Sequence, residues 1–201
     1  MKQYKLLNQD RTSHGGMKWP IGTWNEAVGG GGLCSGGYLH SYDDPYLAIV
    51  MNPIHANICD PIVCEVKAQG ASLNDNGLKR GHKHMKVIRD LHGIRVSTNQ
   101  RVRFAILCSL EVDQSEDYVS WSSDWLSGKD TAPAARAAGA ARAEAAAAAE
   151  AAAAAPWARA ARAAAEAAAW AAEAAAWAAA AAAAEGRGID LVKLINKVTA
   201  L

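Results

Sequence analysis

The sequence predicts an α+β fold: a small N-terminal α+β domain, long alanine-rich α-helices paired as a hairpin or kinked, and a short C-terminal amphipathic helix. Three observations predict it. Before Val112, short alternating apolar runs are interleaved with runs whose apolar residues recur four apart. From Ala134 to Ala184, 38 of 51 residues are alanine. Near the C-terminus, Leu191, Leu194, Ile195 and Val198 share one side of a helix. The chain divides accordingly into an α+β domain at 1–112, a Trp-containing linker at 113–133, an alanine-rich helical region at 134–185 and the amphipathic helix at 186–201.

Tyr4-Lys5-Leu6-Leu7 is a short strand candidate, followed by glycine-rich chain that includes Gly15-Gly16 and Gly29 to Gly32. Leu33-Cys34 and Tyr38-Leu39-His40 flank Ser35-Gly36-Gly37, a tight-turn pattern. Asp43-Asp44-Pro45 is a helix start, with an acidic cap and proline in the first turn. That helix is expected to stop after Met51, because Asn52 precedes Pro53. Pro61 to Ala68 reads as a strand ended by Gln69-Gly70, and His82 to Leu91 as another. Ser97-Thr98-Asn99 caps a helix from about Gln100 to Val112 carrying Val102, Ile106 and Leu110. Trp121 and Trp125 mark a short helix before the linker. The large aliphatic residues lie mainly between Tyr4 and Val112, so residues 1–130 are expected to fold without the tail.

Alanine has the highest helix propensity, so the tail is expected to be helical, split at Pro156 into segments near 134–155 and 157–184. In the second segment Arg159, Arg162, Glu166, Trp170, Glu173 and Trp177 follow one another at steps of three and four. At about 100° per residue they form a single stripe, and Trp157 stands apart from it. Alanine gains little from burial, so these tryptophans must supply most of any contact energy. The seven residues are the expected assembly interface, serving a homo-oligomer or a hairpin within one chain.

Net charge is +1, from 21 basic and 20 acidic residues with no basic block, which argues against nucleic acid as a partner. The longest uncharged alanine run, 174–184, is too short for a membrane span of about 20 residues. The N-terminus lacks the pattern of a signal peptide. Cys34, Cys59, Cys64 and Cys108 have no zinc-ribbon spacing and read as reduced thiols of a cytoplasmic protein. His82 and His84 alternate on one strand face, and His55 and Cys59 are four apart between two prolines. Neither pair is a complete ligand set, so no metal or cofactor is expected.

The best pocket candidate is a cluster of polar aromatic groups, Tyr38, His40 and Tyr42, close to Tyr46 and a helix start. His14 joins it as a weaker ligand-binding candidate, because Gly15-Gly16 lets a ligand approach the backbone.

Three runs carry a family resemblance: Tyr4 to Leu7 with His14-Gly15-Gly16 and Lys18-Trp19-Pro20, Leu33 to His40, and Gln100 to Cys108. Together they resemble uncharacterised phage and actinobacterial proteins in which a small N-terminal domain precedes a tail rich in alanine, arginine and tryptophan. Members usually show residues like CENGYH where this chain has Cys-Ser-Gly-Gly-Tyr-Leu-His, so the loop around His40 is altered. The resemblance implies a phage or prophage setting, in the host cytoplasm or the virion. The expected function is a non-enzymatic, phage-type protein assembled by its helices, a virion component or an antagonist of host defence, whose N-terminal domain binds a protein partner or small ligand. Two alternatives stand beside it. One is an ADP-ribosyltransferase-like enzyme or nucleotide-ligand-binding domain, with Glu65 and Glu111 as catalytic candidates by elimination. The other is a passive structural spacer.

Overall fold

The named elements among the described residues are, in chain order, β1 (Gln3–Leu7), β2 (Trp24–Glu26), β3 (Leu39–Ser41), α1 (Pro45–His55), β4 (Ile62–Asn74), β5 (Arg80–Leu91), α2 (Thr98–Leu110), α3 (Glu116–Leu126) and α4 (Leu191–Thr199). This is a computed structural model. It describes residues 2–13, 15–112, 114–129 and 188–200, together with four helical positions of the alanine-rich region: Ala169, Ala171, Glu173 and Ala174. The fold class is α+β.

All strands belong to one antiparallel sheet in the order β1-β4-β5-β2, with β3 also pairing with β5. Long β4 and β5 form its central hairpin. Beyond β3, Tyr4 and Tyr42 exchange two backbone hydrogen bonds of 2.9 and 2.8 Å, so the chain after β3 meets β1. That closure brings the two strands carrying the site's aromatic and basic residues side by side.

The sheet separates two apolar clusters. On one face Leu6, Val63 and Tyr42 pack against Leu47, Val50 and Met51 of α1, Phe104, Ala105 and Cys108 of α2, and Leu191, Leu194, Ile195 and Val198 of α4. On the other, Leu7, Leu39, Cys64, Val66, Met85 and Val87 close around Trp19. The alternation of β1 explains the split, since successive side chains point to opposite faces.

α1 begins as its cap residues predict: the Asp44 carboxylate accepts from the backbone N–H of Tyr46 and Leu47, and Pro45 occupies the first turn. It does not stop before Pro53 but runs to His55. Proline removes the N–H that would bond the carbonyl of Ile49. Arg101 of α2 donates its Nη1 to that carbonyl at 3.3 Å, so a tertiary contact supplies what the helix lacks. The end is then closed by Asn52, whose side chain bonds both backbone groups of Ile58.

β4 likewise continues past the expected stop at Gln69-Gly70. The register shifts between Gln69 and Ser72, and Gly70 adopts φ +87°, so the break is a bulge inside a strand. Leu33 and Cys34 lie in a turn, and only Leu39–Ser41 is a strand in that region. β2 was not expected at all. Ser97 and Gln100 form a reciprocal capping box that starts α2 two residues before the predicted Gln100.

The largest correction concerns the tail. α4 is not an appendage: Leu191, Ile195 and Val198 are each at most 1% exposed, within the core of the α+β domain. Residues 1–130, expected to fold without the tail, therefore leave out a helix that packs within this core. Ala171 is fully buried in the same cluster, and Ala174 packs against it. Of the expected assembly stripe, only Glu173 is among the described residues, and it is exposed. Trp157, Arg159, Arg162, Glu166, Trp170 and Trp177, and most of the two expected alanine helices, lie outside them. No helix among the described residues is long and apolar enough to cross a membrane.

Candidate functional site

β1, β3, the loop before β2, the glycine-rich loop before β3 and the end of α1 enclose a cleft of about 580 Å³. Tyr38, His40 and Tyr42, three of the four ligand-binding candidates, line it. His14 lies outside the described residues, but its neighbours Ser13 and Gly15 are in the wall. Tyr46 does not line the cleft. The structure adds Lys5, Trp19, Cys34, His55 and Lys79, and among the described lining residues none is acidic.

Lys5 is the least expected member. Its neighbours in β1 are apolar, and its side chain is only 8% exposed. The ammonium donates to the backbone carbonyl of His40 at 3.1 Å and sits 4.4 Å from the centre of the Trp19 ring. Among the described residues it pairs with no carboxylate. Desolvation dominates, pushing its pKa down to about 8 despite the opposing pull of Cys64. The Trp19 indole, which forms the floor beside it, is almost fully buried, and its Nε1–H has no hydrogen-bond partner among the described residues.

The opposite wall is also basic. Lys79, in the turn between β4 and β5, donates to the thiol sulfur of Cys34 at 3.2 Å and lies 3.8 Å from Asp75. His40 bonds the carbonyl of Leu33 through Nε2, which places the proton on that nitrogen. Burial lowers the His40 pKa, although its bond to Leu33 works the other way, and Lys5 and Lys79 depress it further. His55 is pushed down to about 4 by burial, then by Lys79 and His40. Held neutral, His55 accepts at Nδ1 from the Tyr42 hydroxyl at 3.2 Å, and the two rings stack 5.9 Å apart. Burial raises the Tyr42 pKa and keeps that hydroxyl protonated.

The loop over the cleft is held down by β5. Lys83 donates to the Gly37 carbonyl at 2.6 Å with its ammonium over the Tyr38 ring. Gly81 makes this approach feasible, because a Cβ there would lie 2.2 Å from Leu33 and 3.0 Å from Tyr38. The cleft thus combines aromatic walls, two lysines and neutral histidines, a composition suited to a small acceptor-rich ligand.

Other candidates fall elsewhere. Glu65 pairs with Arg89 at 2.7 Å, and Glu111 caps the end of α2; neither lines the cleft. His82 is buried and His84 lies 3.5 Å from Glu26. Cys59 is exposed and outside the cleft, and all four cysteines are free thiols. Lys5 escaped detection because one lysine in a strand normally signals the solvent face; only the adjacent Trp19 loop reverses that. No family model, curated protein or solved structure matches this chain.

Proposed function

We propose that the α+β domain is a receptor for a small anionic ligand, bound in the cleft between β1 and β3. One observation carries this: among the described residues the buried Lys5 ammonium has no carboxylate partner, and the buried Trp19 N–H beside it has no hydrogen-bond partner. A buried charge without a counter-charge costs more than the roughly 1–3 kcal/mol of an unmatched neutral donor, so an anion in the cleft at Lys5 recovers part of that cost. Lys79 supplies a second positive charge on the facing wall, and Tyr38 and Tyr42 offer flat surfaces to a planar group. Aromatic carboxylates and phosphate monoesters of aromatic compounds, nucleotides included, fit this chemistry. The ADP-ribosyltransferase alternative finds neither of its glutamate candidates at the cleft.

Calorimetric titration of the full-length protein with inorganic phosphate, AMP and benzoate tests the proposal. Binding should weaken about tenfold or more in Lys5→Met and Lys79→Met, as expected for losing one charged hydrogen bond of about 1.5–3 kcal/mol. Heats of dilution alone for all three probes would overturn it.

A second proposal concerns assembly in a phage-type setting, as the resemblance suggests. Ala171 is buried while Glu173, two positions along and on another side of the helix, is exposed. Ala171 and Ala174 pack with the core and Glu173 does not, which supports a reading in which the Glu173 side meets another chain. Light scattering of the full-length protein should show an oligomer; a monomer at all concentrations would remove this proposal.

A further inference from the structure

We propose that Lys5 captures its ligand covalently, as a reversible imine with a small anionic aldehyde or 2-oxo acid. This rests on the anion-receptor proposal and adds a reacting atom to it. Three features of the cleft converge on the ε-amine. Lys5 is fixed by one N–H to the His40 carbonyl, which leaves the rest of the nitrogen for a ligand. Its head lies over the Trp19 ring in a wall where burial weakens proton binding and so enlarges the fraction of the amine that is neutral and nucleophilic. The ionisable groups around it are Cys64 across the strand pair, His40, and Lys79 beyond; none described there is a carboxylate that would hold the ammonium charged.

The chemistry needs no oxidant or reductant. The nitrogen lone pair forms a bond to the carbonyl carbon, and the C=O π electrons pass to oxygen, which takes up a proton. Loss of the hydroxyl as water, with departure of the proton from nitrogen, leaves C=N. The net change is amine plus carbonyl to imine plus water. The Tyr42 hydroxyl, hydrogen-bonded to His55, lines the same cleft, and the protons of both steps are exchanged with water. Lys79 provides the fixed charge that receives the ligand's carboxylate.

The test is reductive trapping on the unmodified full-length protein. Glyoxylate with sodium cyanoborohydride would convert an imine at Lys5 into a stable carboxymethyl-lysine, located by peptide mass mapping. Lys5 should label about tenfold faster than exposed lysines such as Lys67, because the cleft holds the carbonyl beside its amine. Glycolate, the same anion without the carbonyl, should bind and suppress that labelling. If glycolate binds but Lys5 labels no faster than Lys67, the imine is overturned and the anion receptor stands. If glycolate neither binds nor protects and Lys5 stays unlabelled, both fail. Rapid labelling of Lys5 without any protection by glycolate also overturns the proposal, since the amine is then merely exposed.

Discussion

The two faces of the sheet are closed in different ways. Helices α1, α2 and α4 cover one, and the side chains they bury there are aliphatic, aromatic or thiol. A loop covers the other, anchored by the bridge between Thr12 and Lys18 and by Trp19, and it leaves a cleft at its margin. Helices satisfy their own backbone groups and present only side chains, so they can seal a face dry. A loop must spend its polar groups on the sheet or on solvent, and its coverage is incomplete. The lysine buried at that margin exposes the difference, for a charge can persist there only where a ligand or water reaches it.

The largest effect expected from breaking the helical face is removal of α4. A chain ending at Asp130 lacks Leu191, Leu194, Ile195 and Val198, each worth about 1.5–3 kcal/mol of burial. Their sum rivals the whole stability of a typical domain, about 5–15 kcal/mol. Thermal denaturation of that truncated chain should show no cooperative transition. A sharp transition near that of the full chain would mean that α4 is dispensable.

Phe104→Ala comes next. It empties a fully buried site on the helical face and should cost about 3–5 kcal/mol by urea denaturation, with ligand affinity unchanged in the protein that stays folded. The loop-covered face should respond the opposite way. Lys5→Met removes a desolvated charge while keeping a side chain of similar length, so it should stabilise the protein by about 1–3 kcal/mol at pH 7 while weakening anion binding. The sign follows from linkage. With a folded pKa of about 8 below an unfolded value of 10.5, the unfolded wild-type chain holds more protons between those values. Wild-type stability should therefore rise from pH 8 to 10.5, and the advantage of Lys5→Met should shrink over that window. A mutant less stable than wild type at pH 7 would show that Lys5 is matched after all.

A smaller pH effect belongs to His55, whose pKa falls to about 4 on folding. Between pH 6.5 and 4 the unfolded chain binds the additional proton, so stability should decline on acidification through that range. His55→Phe, which keeps the ring stacked on Tyr42, should flatten the decline. The smallest change is Asp44→Ala, which should cost about 1 kcal/mol through loss of the cap on α1, measurable as a shift in urea midpoint.

Local chemistry made much of this protein legible in advance. Capping residues set the starts of α1 and α2, alternation marked β4 and β5, and helical spacing placed the apolar side of α4, because these features depend on neighbours within a few residues. Tyr38, His40 and Tyr42 were legible as a cluster for the same reason, being close in the chain. Tertiary structure decided the rest. Pro53 stays helical because Arg101, far along the chain, reaches the orphaned carbonyl. Gly70 bends a strand without ending it because β5 runs on beside it. α4 became part of the core rather than a separate segment because the apolar surface of α1 and α2 needed a third helix, a demand invisible in the helix's own pattern. Lys5 became the centre of the site through Trp19 and the closure of β1 onto the end of β3. Burial is a property of what lies on top of a residue, and only folding supplies that.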